Sequence, residues 1–366
     1  MKNMSYSINF KEETMKKGYL VLQDGRVFEG FRFGAETDSI GELVFTTGTG
    51  GYIETLTDPS FAGEIILHTY PLIGNYGIIE EDFEGKCLIK GCVVREWCEA
   101  PSNFRTQYDL DTFLKNNGVP GLWGVDTREL TRIIRENGVM NAMICSEVPA
   151  DLTAIETYAI AEPVKYATCA SISLHNAVGE EKFRVSLVDY GVRRSLIRTL
   201  QSMGCTVTVY PASVTAEDIL AGKPDGVVLS DGPGDPAANE AIIAELSKLL
   251  GKVPMMAVGL GHQMLALAAG GQTEKLKAGH HGANQPAKDL LSGRTYITAQ
   301  SHCYVVSEPG CGTVRFVNAN DNTCEGVDYP DHKAFGVQFT PDAPCGLADS
   351  SFLYNSFAEL MKGGAN

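Results

Sequence analysis

Hydrophobic and polar positions change period part-way along the chain. The first stretch alternates in short runs. Tyr19-Leu20-Val21-Leu22-Gln23 meets Asp24-Gly25 and resumes as Arg26-Val27-Phe28-Glu29-Gly30, which predicts a hairpin with a favoured two-residue turn. Residues 109–117, before Gly118, predict a short capped helix. Asp126-Thr127-Arg128-Glu129 has the N-cap and N3 pattern of a capping box; Leu130, Ile133 and Ile134 then give one helical face, which Gly138 ends. From about 147 to 181 the periodicity fades into small, polar and charged residues, read as a connection between domains.

After it, strands alternate with helices. Val185-Ser186-Leu187-Val188-Asp189, residues 206–210, Gly226-Val227-Val228-Leu229 and residues 255–258 read as strands. Helices are expected at 193–203, from Thr215 and at 238–250. This order predicts an α/β fold: a β-rich first domain followed by a doubly wound, mostly parallel sheet. The expected boundaries are a polar leader at 1–17, a first domain at 18–150, a linker at 151–183 and a second domain at 184–363. In such sheets ligands bind at the carboxyl ends of the strands. Two Gly-rich turns fall there, at 231–236 and 258–261.

Composition narrows the function. The 45 acidic residues outnumber 30 basic ones, and this net charge of −15 argues against phosphate-dominated nucleic-acid binding. No stretch reaches the roughly 18 apolar residues of a membrane span, so no membrane partner is expected. The first 17 residues lack the apolar core of a signal peptide, and the ten cysteines lack paired spacing; reduced thiols in a cytoplasm are expected.

The chemistry centres on Pro254-Met255-Met256-Ala257-Val258-Gly259-Leu260-Gly261-His262-Gln263. A short apolar strand stops at a Gly-x-Gly and turns at once into a helix, the elbow on which α/β hydrolytic folds hold a nucleophile. Here the residue at the turn, Gly259, has no side chain to react.

With Leu229-Ser230-Asp231-Gly232-Pro233-Gly234-Asp235-Pro236, this elbow resembles the class I, triad-type glutamine amidotransferases. More narrowly, the chain resembles the small chain of glutamine-hydrolysing carbamoyl-phosphate synthase. That likeness rests on Gly279-His280-His281-Gly282-Ala283-Asn284, Ala299-Gln300-Ser301-His302, Gly124-Val125-Asp126-Thr127-Arg128 and the segments 49–60 and 69–77. The resemblance implies that the first domain docks on a large synthetase chain and that the second hydrolyses glutamine. Ammonia then passes through a tunnel to the large chain, where it meets carboxyphosphate made from bicarbonate and ATP. No cofactor is expected in this chain. The product feeds arginine and pyrimidine synthesis.

Carried over residue by residue, the resemblance also exposes departures. The family's cysteine position is Gly259, and its His-Pro-Glu is Thr340-Pro341-Asp342. Threonine cannot take a thiol proton near neutral pH. Gly232, Gly234, Leu260 and Gln263 fit glutamine-contacting and oxyanion positions. The usual Asn before Gly-Pro-Gly is Asp231, the usual Asn-His-Gly-Phe is Ser301-His302-Cys303-Tyr304, and a serine from the first domain is Gly48. Losing nucleophile, base and several contacts together implies a small subunit without ordinary glutaminase activity, a scaffold for an ammonia-using complex. Two alternatives stand beside it. One is an amidotransferase with its thiolate relocated to Cys303 or Cys345, near His262 or His302. The other is a cleft that binds glutamine, another small amide or a metabolite. No spacing supports a metal site from Cys303, Cys345, Asp342 and His262. His280-His281 reads as a polar loop, Asp189 as a solvated charge, and Trp97 and Trp123 as core.

Overall fold

A computed structural model describes residues 15–342 and 348–363; Cys345 and most of the leader lie outside the described residues. The first domain contains β1 (Lys17–Leu22), β2 (Val27–Gly34), β3 (Ser39–Thr46), α1 (Tyr52–Thr57), β4 (Glu64–His68), β5 (Leu72–Ile73), β6 (Gly91–Val94), β7 (Glu96–Trp97), α2 (Leu110–Asn116), β8 (Pro120–Trp123), α3 (Thr127–Asn137) and β9 (Met140–Cys145). Seven strands close a barrel in the order β1-β2-β8-β6-β4-β3-β9, with β5 and β7 paired separately. Alternation along the strands divides the core in two. Leu43, Ile65 and Val93 pack with the apolar face of α3, while Val44, Ile66 and Cys92 pack with α1 and α2.

Local signals resolve with two adjustments. Leu22 N–H donates to Arg26 O and Gly25 N–H to Leu22 O, so the first hairpin closes over three residues, with Gly25 at φ 85° as the left-handed residue. Asp126 caps α3 by accepting from the Arg128 and Glu129 amides, but the Glu129 carboxylate turns to Arg132. Trp97 stacks on Phe33 and Trp123 contacts Phe31, both half-buried.

The connection carries α4 (Thr153–Glu156), α5 (Pro163–Ala167) and β10 (Ser173–His175). Then follow β11 (Phe183–Asp189), α6 (Arg194–Ser202), β12 (Cys205–Pro211), α7 (Ala216–Ala221), β13 (Gly226–Leu229), α8 (Glu240–Leu249), β14 (Met255–Val258), α9 (Leu260–Ala268), β15 (Gln272–Asp289), β16 (Thr295–Glu308), β17 (Thr313–Asn318), β18 (Cys324–Tyr329), β19 (Ala334–Val337) and α10 (Phe352–Gly363). All strands from β10 on form one sheet, ordered β10-β12-β11-β13-β14-β19-β18-β16-β15-β17. The parallel sheet predicted from the alternation is the segment β12-β11-β13-β14-β19. The connection adds β10 at its edge, and β15 to β18 extend it antiparallel.

The domains meet along a polar seam. Glu84 accepts from the Arg194 and Ser195 amides at the start of α6, Lys275 pairs with Glu42, and Thr47 Oγ1 donates to Asn284 Oδ1. Barrel loops therefore cover the carboxyl end of the parallel sheet.

Candidate functional site

Three strand ends build the site. β13 leads into Ser230-Asp231-Gly232, β14 into Gly259, and β19 into Gln338-Phe339-Thr340. Gly259 sits at φ 52°, ψ −116°, a backbone shape that an L side chain adopts only under strain. Its N–H donates to Val337 O, and its carbonyl accepts the first helical bond of α9 from Gln263. A Cβ at Gly232 would lie 2.5 Å from Tyr190 O, so only glycine allows this turn to pass so close.

Asp231 dominates the result. Its Oδ1 accepts from Leu260 N–H at 2.9 Å and from Gly232 N–H at 2.8 Å. Two backbone donors aimed at one oxygen are the arrangement that stabilises an oxyanion in acyl transfer. Here an internal carboxylate takes both. A Cβ placed on Gly259 would fall 1.9 Å from Asp231 Oδ1 and 2.2 Å from its Cγ. The carboxylate therefore stands where a nucleophile's side chain would project. Burial, and secondarily the Asp58 charge, push its pKa up to about 6 against the two amides and Arg193.

The carried-over residues fall around two adjoining depressions. Gly232, Gly234, Leu260, Gln263, Ser301, Cys303 and Tyr304 line one with Asp231 and the barrel residues Ser60 and Glu64. Gly48, Ser301 and Thr340 line the other with Asp58 and Arg193. Gln263 is committed elsewhere: its Nε2 donates to Tyr304 O at 2.6 Å and to Gln338 Oε1 at 2.9 Å. Asp342 lies near Tyr354 and Arg193 and lines neither depression.

Among the described residues, no side chain here makes a thiolate. Cys303 Sγ lies 3.6 Å from His281 Nε2 rather than beside His262 or His302. Burial pushes the thiol well up and the His281 imidazole down to about 3, so both partners are neutral. A reactive cysteine needs the opposite setting. His262 is fully buried with neither ring nitrogen hydrogen-bonded, and burial pushes it down to about 3.

Other expectations are corrected. Asp189 is buried rather than solvated: Oδ1 accepts from the Gly191 and Val192 amides and Oδ2 from Cys169, which shapes the turn after β11. His280-His281 lies within β15 rather than a loop, between register shifts on both sides. Period-two geometry sends the two rings to opposite faces. Residue-by-residue reading also missed Arg193, whose Nη1 lies 3.5 Å from Asp58 Oδ2 and whose Nη2 is buried without a partner. Its only sequence signal was its place just after a strand's carboxyl end.

Comparison with known proteins gives the family. Residues 20–144 match the family model for the carbamoyl-phosphate synthase small chain, CPSase domain, and residues 186–360 that for glutamine amidotransferase class-I. The carbamoyl phosphate synthase small chain of Oceanobacillus iheyensis is 44% identical over 354 residues, covering 95% of this chain and 97% of the relative. That of Listeria monocytogenes serotype 4b is 44% identical over 355 residues, covering 95% and 98%. A solved glutamine amidotransferase from Thermotoga maritima superposes with a TM-score of 0.36 at 17% identity, covering 52% of this chain and 87% of that one.

Proposed function

The chain belongs to the carbamoyl-phosphate synthase small-chain family, and from that premise we propose that it is a small subunit which has given up its own glutamine hydrolysis. It serves as the scaffold of a complex in which a large synthetase chain consumes free ammonia. The observation that carries this reading is the Asp231 carboxylate, which takes both elbow donors and the space above Gly259. A substrate carbonyl entering there would meet a like partial charge rather than two free N–H groups. Thr340 adds no base.

The match of residues 20–144 to the small-chain domain supports a retained docking role. Bicarbonate and ATP are used by the large chain, so this chain needs no cofactor. The free cysteines among the described residues fit a reducing cytoplasm. No helix among them is long and apolar enough to cross a membrane.

One observation favours a second reading, a metabolite-binding cleft: the unpartnered Arg193 Nη2 at the depression lined by Ser301 and Thr340 would suit a small carboxylate. Co-purification with a large chain tests the first reading. A stable complex that makes carbamoyl phosphate from ammonia but not from glutamine supports it. Failure to bind any large chain overturns it.

A further inference from the structure

The face of β15 and β16 turned away from Cys303 carries a second cluster. His280 and His302 are direct cross-strand partners, placed by the register shift before His280. Gln300 lies two residues before His302 on the same face, and Glu325 comes from β18. One ligand-capable atom from each of His280, His302 and Glu325 lies within 4.8 Å of the others.

The hydrogen-bond roles there do not balance. His302 Nδ1 lies 2.8 Å from Tyr304 O, which can only accept, so that nitrogen carries the proton. In the neutral ring this leaves Nε2 as a lone pair. Yet this Nε2 faces Gln300 Oε1, another acceptor, at 3.1 Å. Turning the amide over does not resolve it, because Gln300 Nε2 already donates to Glu325 Oε2 at 2.8 Å. His280 Nδ1 lies 3.2 Å from the same Gln300 Oε1 and 3.4 Å from Glu325 Oε1. Asn318 Nδ2 donates to Glu325 Oε1 at 3.0 Å and lies 3.4 Å from His280 Nδ1, and beside it His302 Nε2, Gln300 Oε1 and the second lone pair of Glu325 Oε1 converge with one imidazole nitrogen.

We infer that His280 Nδ1, His302 Nε2, Gln300 Oε1 and Glu325 Oε1 form a tetrahedral site for a zinc ion. Zinc–nitrogen and zinc–oxygen bonds near 2.0–2.1 Å put neighbouring ligand atoms about 3.3–3.4 Å apart. Three separations between these atoms, 3.1, 3.2 and 3.4 Å, match that edge. The outer shell is also in place. Imidazole ligands hand their second nitrogen to a carboxylate or carbonyl. Here His280 Nε2 lies 2.9 Å from Asp321 Oδ2, and His302 Nδ1 lies on Tyr304 O. Two imidazoles with hard oxygen donors suit zinc better than calcium or magnesium. The ion clamps three strands behind the sheet face that bears Ser301 and Cys303, so it is structural.

The test uses the full chain, stripped with chelator, loaded with zinc sulfate and desalted. One tightly held zinc per chain is expected, with an X-ray absorption first shell of nitrogen and oxygen only. His302→Ala and Glu325→Gln lose that equivalent; Asp321→Asn binds about 10- to 100-fold more weakly. Three results each overturn the proposal: no zinc retained by the wild type, a sulfur shell near 2.3 Å from thiolates elsewhere, or full stoichiometry in folded His302→Ala. The absorption spectrum needs only the wild type, so it decides even if a variant fails to fold.

Discussion

At the elbow, the Asp231 carboxylate occupies the space above Gly259 and takes both the Leu260 and the Gly232 amides. On the face of β15 and β16 behind it, two imidazoles, a carboxylate and an amide oxygen converge. The first region is closed by its own side chain, and the second is arranged as if for an added cation. The contrast separates backbone from side chain. The Leu260 and Gly232 amides still point at one spot because the turn is fixed by Gly232 against Tyr190 O and by Gly259 at positive φ. The Asp231 side chain fills the spot they point at.

Five substitutions, two of them combined, probe that contrast, from the largest effect to the smallest. Gly259→Ala puts a methyl into the Asp231 carboxylate and strains the backbone, costing about 2–4 kcal/mol in denaturant unfolding. Adding Asp231→Ala relieves the collision, so the double variant should lose over about 1 kcal/mol less than the sum of the singles. Strict additivity would show that the carboxylate does not occupy that space.

Asp231→Asn tests the charge. A carboxyl whose folded pKa is raised to about 6 keeps its proton in the folded state when the unfolded chain has lost it. Wild-type stability should therefore fall as pH rises from about 4 through 6, by up to about 3 kcal/mol relative to the variant, and run parallel above. A flat difference across that range would place Asp231 in a more hydrated setting.

His262→Leu removes a buried ring with no hydrogen bond. It should gain about 1 kcal/mol at pH 7.5. The gain should grow on acidification, because an imidazole pushed down to about 3 is destabilising once the unfolded chain is protonated below about 6.5. Thermal melts at pH 5 and 7.5 check both signs. Smallest is Cys303→Ser: with a neutral thiol beside a neutral imidazole, it should leave catalytic background unchanged, and Cys303 should react slowly with thiol reagents in the native protein.

Much of this arrangement was legible in the chain. The alternation from Val185 to Ala268 carried the parallel strands, and the two Gly-rich turns marked the crevice. The extension was not legible, because β15 reads Gln272-Thr273-Glu274-Lys275-Leu276-Lys277 and onward as mixed polar residues without a sustained period. Barrel closure was also hidden: it depends on parallel pairs such as β4 with β6, joined across long connections. The sequence showed an Asp at 231 where the family resemblance expects Asn, but not that its carboxylate would lie over Gly259. That follows only from the meeting of two strand ends 28 residues apart in the chain. Likewise, His280 and His302 become neighbours only through the bulged register of β15 against β16.

The central claim is that the elbow no longer hydrolyses an amide. The most direct test measures ammonia released from glutamine by the full chain bound to its large synthetase chain, with carbamoyl phosphate followed in parallel. No glutamine-dependent ammonia above background, with carbamoyl phosphate formed when ammonia is added, is the result this account predicts. Glutamine turnover that disappears in Cys303→Ala would contradict it and restore a working, relocated nucleophile.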